Sequence, residues 1–216
     1  MSGERLAKVL AHLADDAARR HSPVTSETAC EACVSLVEVS GVQLSLMNGN
    51  GRGESRYSTN ETGSRLENLR FTLGEGPCTD AFSSGLPVLV ANIDAGENQR
   101  QWPLFAPAAQ AAGAQAIFAF PLRSGAIRIG VLVLHRASPG PLTPAQMSDA
   151  QVMADVVMSL VLDEMVLVHL GNGVAPAEGI PLSRAEVHQA TGMLSVQMGG
   201  EHGRGTGTAA RTRVRP

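Results

Sequence analysis

The three cysteines are the residues of this chain whose chemistry most needs an explanation. Cys30 and Cys33 form a Cys-x-x-Cys pair, a spacing that zinc sites use. Such a site needs a second ligand pair, and the histidines are scattered singly along the chain. Two cysteines three positions apart on an apolar helix instead predict core residues. We therefore predict no metal site and no bound cofactor.

Cys78 follows the turn Gly74-Glu75-Gly76-Pro77, where a strand is expected to give way to a helix. In one interpretation, the turn presents backbone N–H groups to a pocket and the helix start stabilises a Cys78 thiolate. In the other, the glycines supply unusual φ angles, the proline begins the helix and Cys78 is a small buried hydrophobe. The residues favour a buried, non-catalytic Cys78 and leave both interpretations of the turn open.

Length and composition restrict the class of protein. The 216 residues fit one domain plus an appendage, and 44% hydrophobic residues can form a core, which must be aliphatic because only 3% are aromatic. A net charge of −3 argues against a generally nucleic-acid-binding surface. The sequence has no apolar run long enough for a membrane span or a signal peptide, which predicts a cytosolic protein. Three cysteines do not suggest a disulfide framework.

Hydrophobic periodicity and turn residues predict an α+β fold, in which an antiparallel sheet is flanked by helices. Helices are expected over residues 4–20, 26–39, 77–84, 101–112 and 145–170. Strands are expected over residues 42–47, 54–60, 87–91, 116–121 and 126–135. Thr143, Pro144 and Gln146 form a capping box with proline at the first helical position, which marks where the longest helix begins.

The helix over residues 145–170 is apolar almost all round, and one face of a sheet cannot cover such a helix. Together with residues 4–20, it predicts a helical bundle completed by a second copy of the chain. The predicted dimer interface comprises Leu6, Val9, Leu13, Met153, Val157 and Leu160.

The last 46 residues divide into three segments by composition. Residues 171–182 are rich in glycine and proline and predict a linker. Residues 183–199 begin with a capping box, Ser183 and Glu186, and predict an amphipathic helix. Residues 200–216 have no helical period and predict a disordered tail, whose arginines could attract RNA phosphates only weakly.

The stretches FTLGEGPCTDAFSSGLPVLVANID and RQWPLFAPAAQAAGAQAIFAFPLRSGAIRIGVLVLHRASPGPLTPAQ resemble the GAF domains of actinobacterial GAF–ANTAR regulators. The resemblance covers roughly residues 5–170, so residues 1–170 are the expected sensor domain with its flanking dimerisation helices. The segment RAEVHQATGMLSVQMG resembles the first helix of an ANTAR domain, a three-helix unit that binds paired RNA hairpins and prevents transcription termination. The remnant helix would carry Arg184, His188 and Gln189 toward RNA, but no second or third helix is recognisable.

The GAF resemblance also implies a ligand pocket. In a GAF arrangement, the helix with Trp102 and Phe105 lies over the sheet with Phe118 and Phe120, which suggests either an aromatic pocket for a small molecule or an aromatic core. Asp94, in a lid-like loop, would add a polar contact or be solvated. The candidate pocket residues are Ser45, Gly76, Cys78, Asp94, Trp102, Phe105, Phe118 and Phe120.

Three functions follow from these observations. The first is a dimeric, signal-sensing transcription regulator of the GAF–ANTAR type whose RNA-binding output is lost by truncation. The second is a non-catalytic interaction module that forms mixed dimers with intact relatives. The third is a GAF-fold free methionine-R-sulfoxide reductase, which is disfavoured because residues 79–216 contain no further cysteine. We therefore predict that the protein is not an enzyme.

Overall fold

A computed structural model of the chain describes residues 3–47 and 53–171. Five strands form one antiparallel sheet in the order β2-β1-β5-β4-β3, with helices on both faces, which confirms the predicted α+β class. The strands are β1 (Gly41–Met47), β2 (Gly53–Ser58), β3 (Val88–Val90), β4 (Ala116–Ser124) and β5 (Ile127–Arg136). The helices are α1 (Gly3–Arg20), α2 (Ser26–Val37), α3 (Glu61–Leu73), α4 (Pro77–Ser84), α5 (Gly96–Gln101), α6 (Phe105–Ala111) and α7 (Pro144–Gly171).

Local sequence signals explain where several helices begin and end. The predicted capping box of α7 forms, since the Thr143 amide donates to Gln146 Oε1 at 3.0 Å and the Gln146 amide donates to Thr143 Oγ1 at 3.2 Å. A second capping box, between Thr25 and Thr28, begins α2. Gly74 ends α3 with a φ of 69°, a left-handed conformation that favours glycine.

The three central strands are buried on both faces, so alternate residues of each strand enter two separate cores. Val42 and Leu44 of β1 join the core formed with α1, α2 and α7, whereas Met47 joins the core formed with α3, α4 and α6. Phe118 and Phe120 of β4 belong to the first core. The sheet therefore separates an α1/α2/α7 layer from an α3–α6 layer.

Two helical predictions need correction. Residues 61–73 form α3, which the apolar periodicity did not reveal because the buried side of this helix carries Glu67 and Arg70. The predicted helix over residues 101–112 is two helices, α5 and α6, separated at Trp102-Pro103-Leu104.

The predicted dimer interface is wrong for four of its six residues. Val9, Leu13, Met153 and Val157 are at most 4% exposed within one subunit, where they pack between α1, α2, α7 and the sheet. Leu6 and Leu160 are partly buried against the same core. Because α1 and α2 cover α7 together with the sheet, most of its apolar surface needs no second subunit.

The predicted linker over residues 171–182, the helix over 183–199 with Arg184, His188 and Gln189, and the tail over 200–216 lie outside the described residues, apart from Gly171 at the end of α7. Among the described helices, none combines the length and apolarity needed to cross a membrane.

We expect Val157→Ala to lower the free energy of unfolding by about 2 kcal/mol, because it opens a cavity in a packed core. The matched control is Val24→Ala, just before α2, where the valine is 41% exposed; there we expect a change of about 0.5 kcal/mol or less. Urea unfolding followed by circular dichroism measures both. Equal effects would contradict the core assignment of α7.

Candidate functional site

A buried polar network lies between β1 and α3. Glu67 and Arg70 form an ion pair, with Arg70 Nη2 2.5 Å from Glu67 Oε1 and Arg70 Nε 3.0 Å from Glu67 Oε2. Gln43 Nε2 and Ser45 Oγ, both from β1, also donate to Glu67 Oε2. All four residues are at most 5% exposed. A charged pair this deep is tolerated because each charge is compensated by the other and by hydrogen bonds.

The geometry of two elements produces this network. Gln43 and Ser45 are two positions apart on β1, so both side chains point to the α3 face of the sheet. Glu67 and Arg70 are three positions apart on α3, so they share the side of the helix that faces β1.

A small cavity adjoins the network. Its volume is about 10 Å³, room for about one water molecule. We call this cavity the chamber; its walls are Gln43, Leu66, Glu67, Arg70, Pro77, Cys78, Phe105, Ile117 and Val133. Gln43 Oε1 is buried and accepts no hydrogen bond from the described residues. Reversing the Gln43 side-chain amide would not help, because it would replace the Nε2 donor to Glu67 Oε2 with an oxygen and lose that hydrogen bond.

Comparison with known proteins assigns the chain to a family. The family model for the GAF domain matches residues 19–161, about two thirds of the chain. The chain belongs to the GAF domain family. No curated protein sequence matches it.

Solved structures, two of them GAF domains, show the same fold. The GAF domain of an Acinetobacter phosphoenolpyruvate-protein phosphotransferase is 15% identical, with a TM-score of 0.54 over 77% of this chain and 97% of that one. The corresponding domain from Coxiella burnetii is 8% identical, with a TM-score of 0.53 over 77% and 98%. A domain of a two-component sensor histidine kinase protein from Sinorhizobium meliloti is 14% identical, with a TM-score of 0.52 over 68% and 93%.

The GAF domain brings only some of the predicted pocket residues together. Cys78 and Phe105 line the chamber, and Ser45 belongs to the network beside it. Gly76 lies under the Phe105 ring, where a Cβ would come within 3.0 Å of ring carbons. Its φ of 122° and this contact both require glycine. They support the interpretation in which the glycines of this turn supply unusual φ angles.

The pocket prediction is wrong for Phe118 and Phe120, whereas for Asp94 the structure agrees with the solvated alternative. Phe118 and Phe120 lie in the core of the opposite face of the sheet, so they cannot form a pocket with Trp102 and Phe105. Asp94 is exposed, and its Oδ1 accepts a hydrogen bond from Gln99 Nε2 at 2.8 Å.

Glu67, Arg70 and Gln43 are site residues that the sequence prediction missed. The sequence contains part of the evidence for this site, because the polar residues Gln43 and Ser45 interrupt an otherwise apolar strand. Their partners Glu67 and Arg70 could not be inferred, because the apolar pattern does not predict α3.

The three cysteines are buried thiols. Burial raises the pKa of Cys78 to about 12 and that of Cys33 to about 12, and it raises the pKa of Cys30 well above its ordinary value. The Cys78 thiolate is therefore strongly disfavoured in this conformation. Within residues 3–47 and 53–171, no cluster of three or more His, Cys, Asp or Glu side chains is placed to hold a metal ion.

Two carboxylates fix the segment that covers the chamber. Glu75 Oε1 accepts hydrogen bonds from the Leu104 and Phe105 amides, both at 2.8 Å. Asp80 Oδ2 accepts from Trp102 Nε1 at 3.1 Å and from Gln101 Nε2 at 2.8 Å. These bonds join the α5–α6 connection to the turn before α4 and to α4 itself.

We expect Arg70→Met to lower the free energy of unfolding by roughly 3–5 kcal/mol, because it leaves the Glu67 charge buried without its partner. Arg65→Met on the same helix is the matched control. Its ion pair with Glu61 is exposed, with side-chain exposures of 56% and 79%, so we expect a change of about 0.5 kcal/mol or less. Denaturant unfolding measures the difference, and similar losses for both variants would contradict a buried network.

His135 should make the stability depend on pH. Its ring is 1% exposed, lies beside Gly41 and has both nitrogens unpaired among the described residues. Burial lowers the pKa of His135 from 6.5 to about 4. The folded state thus favours the neutral ring. The contribution of His135 to the free energy of unfolding is therefore fully present above pH 6.5 and is lost as the pH falls from 6.5 toward 4.

The expected loss over that interval is about 3 kcal/mol, at 1.36 kcal/mol per pKa unit. Urea unfolding at several pH values, compared between the wild type and His135→Leu, isolates it. The leucine variant should lose less stability on acidification. Parallel curves would show that protonation of His135 does not oppose folding.

Proposed function

We propose that this chain is a cytosolic, non-enzymatic regulator that senses a small ligand in the chamber and passes the signal through the sheet to α7. The observation that carries this proposal is the alternation of β1. Gln43 and Ser45 contact the network on one face, whereas Val42 and Leu44 pack in the α1/α2/α7 core on the other. A displacement of β1 by a ligand must therefore disturb both layers.

Further contacts support α7 as the receiving element. Glu164, in its last turns, accepts hydrogen bonds from the Ser26 amide at 2.7 Å and from Ser26 Oγ at 2.8 Å, at the start of α2. Arg56 of β2 lies 3.2 Å from the same carboxylate. Since β2 pairs with β1, the chamber and the end of α7 are joined by a short chain of contacts.

For the output, we propose transcription regulation of the GAF–ANTAR type. Support comes from the ANTAR-like segment that follows α7 at residues 183–199, which lies beyond the residues matched by the GAF model. The chain could also act by forming mixed dimers with other GAF–ANTAR proteins.

We expect this chain not to discriminate between a paired-hairpin RNA and a scrambled control. The arginines of residues 200–216 offer only phosphate attraction, which is indifferent to sequence and weakens with salt. A binding titration at physiological salt measures both RNAs. Tight binding that distinguishes them would contradict this expectation.

We also propose a homodimer through the end of α7. Val166, Leu167 and Val168 are 49%, 69% and 57% exposed, an apolar surface that a second copy would cover. Light scattering at micromolar concentration should show a dimer for the wild type and for Gln151→Glu, an exposed position on the same helix. Leu167→Glu should give a monomer with an unchanged fold. A monomeric wild type would contradict the proposal.

A further inference from the structure

We infer that residues 96–105 are a lid over the chamber, held closed by Glu75 and Asp80, and that the chamber admits small uncharged ligands carrying a hydrogen-bond donor. This inference rests on the proposed sensing role, since it names the ligand class and the entry route of the same site. It does not depend on how the signal leaves the domain.

The lid is attached at few points. α5 contributes no buried residue, and the buried lid side chains are Trp102 and Phe105, 2% and 3% exposed. Phe105 is the lid residue that forms a wall of the chamber. A ligand larger than one water molecule requires a wall of the chamber to move, and Phe105 is the wall that the lid carries.

Glu75 and Asp80 act as latches because they bind the lid from outside it. Glu75 holds two consecutive lid amides, at Leu104 and Phe105, with one carboxylate oxygen. Asp80 holds the Trp102 indole and the Gln101 amide with another. Hydrogen bonds to a charged acceptor are stronger than neutral ones, so removing either carboxylate should increase the open population.

The charges and free groups of the chamber define the ligand. Glu67 and Arg70 neutralise each other, so an additional charge would enter a buried site without a counter-ion. The unpaired group at the wall is Gln43 Oε1, an acceptor that is satisfied by an N–H or O–H donor. Leu66, Ile117 and Val133 make the rest of the surface apolar. These features favour a neutral, largely apolar molecule with one donor.

Cys78 provides the test, because its thiol lines the chamber beneath the lid and is 6% exposed. The folded protein is alkylated with iodoacetamide, and peptide mass spectrometry measures the rate at each cysteine. Cys30 and Cys33, both 0% exposed in the other core, report global unfolding. We expect Glu75→Ala and Asp80→Ala to accelerate Cys78 alkylation about tenfold, with Cys30 and Cys33 unchanged.

Two controls sharpen this result. Glu97→Ala removes a lid carboxylate that makes no hydrogen bond or ion pair with the described residues and should leave the rate unchanged. Glu75→Gln retains an acceptor oxygen and should recover most of the wild-type rate. If all three cysteines accelerate together in Glu75→Ala, or if Glu97→Ala matches it, the lid assignment is wrong.

The ligand class is tested with iodoacetate, which resembles iodoacetamide in size but carries a negative charge. The ratio of the two alkylation rates at Cys78 is compared between the folded and the urea-unfolded chain. We expect folding to disfavour iodoacetate about tenfold relative to iodoacetamide. An equal ratio would overturn the neutral-ligand assignment. Neither alkylation experiment involves RNA or α7. A negative RNA-binding or hydrogen-exchange result would therefore not affect the lid assignment, and a negative alkylation result would not affect the proposed output.

Discussion

The fold depends on one constraint, which is that the central strands have no solvent-facing side. Antiparallel sheets commonly leave one face in water, but here β1, β4 and β5 are covered by helices on both faces. Outside the exposed end where β4 turns into β5, the residues of these strands must therefore satisfy one of two cores. A shift of β1 by one residue would move Gln43 and Ser45 into the aliphatic core. The Glu67 carboxylate would then lose its hydrogen bonds from β1. The polar network thus fixes the register of the strand beneath it.

This constraint also explains the placement of the site. Both layers hold a buried carboxylate, but their partners differ. On the α1/α2/α7 side, Asp149 pairs with Arg5 and Lys8, which are partly or largely exposed. On the other side, Glu67 and Arg70 are both buried and line the chamber. A buried pair such as Glu67 and Arg70 contributes little net stability compared with apolar packing of the same volume. Its retention beneath the lid is consistent with a site in which polarity selects a ligand. The same strands that bear this polarity form the base on which α2 and α7 pack.

The sequence predicted β4 and β5 because strands that are buried on both faces form continuous apolar runs bounded by turn residues. It predicted β1 because Gln43 and Ser45 alternate with apolar residues. Strand alternation places Phe118 and Phe120 on one face of β4 and Ile117 and Ala119 on the other, as the structure has them. The side that faces Trp102 could not be inferred, because alternation does not say which helices cover which face. α3 was missed because Glu67 and Arg70 occupy its buried side, which removes the apolar period that reveals a helix. The apolar circumference of α7 suggested a partner subunit, yet α1 and α2 of the same chain supply most of the cover.

Hydrogen exchange at α7 tests most directly whether the chamber communicates with this helix. Gln43→Leu preserves size but removes both the donor to Glu67 and the unpaired acceptor at the chamber wall. Gln151→Leu, at an exposed position of α7, is the matched control. We expect Gln43→Leu to change exchange in the α7 turns around Glu164 about threefold or more, and Gln151→Leu to leave these turns unchanged. Altered exchange in α3 with unchanged exchange in α7 would contradict signalling through the sheet.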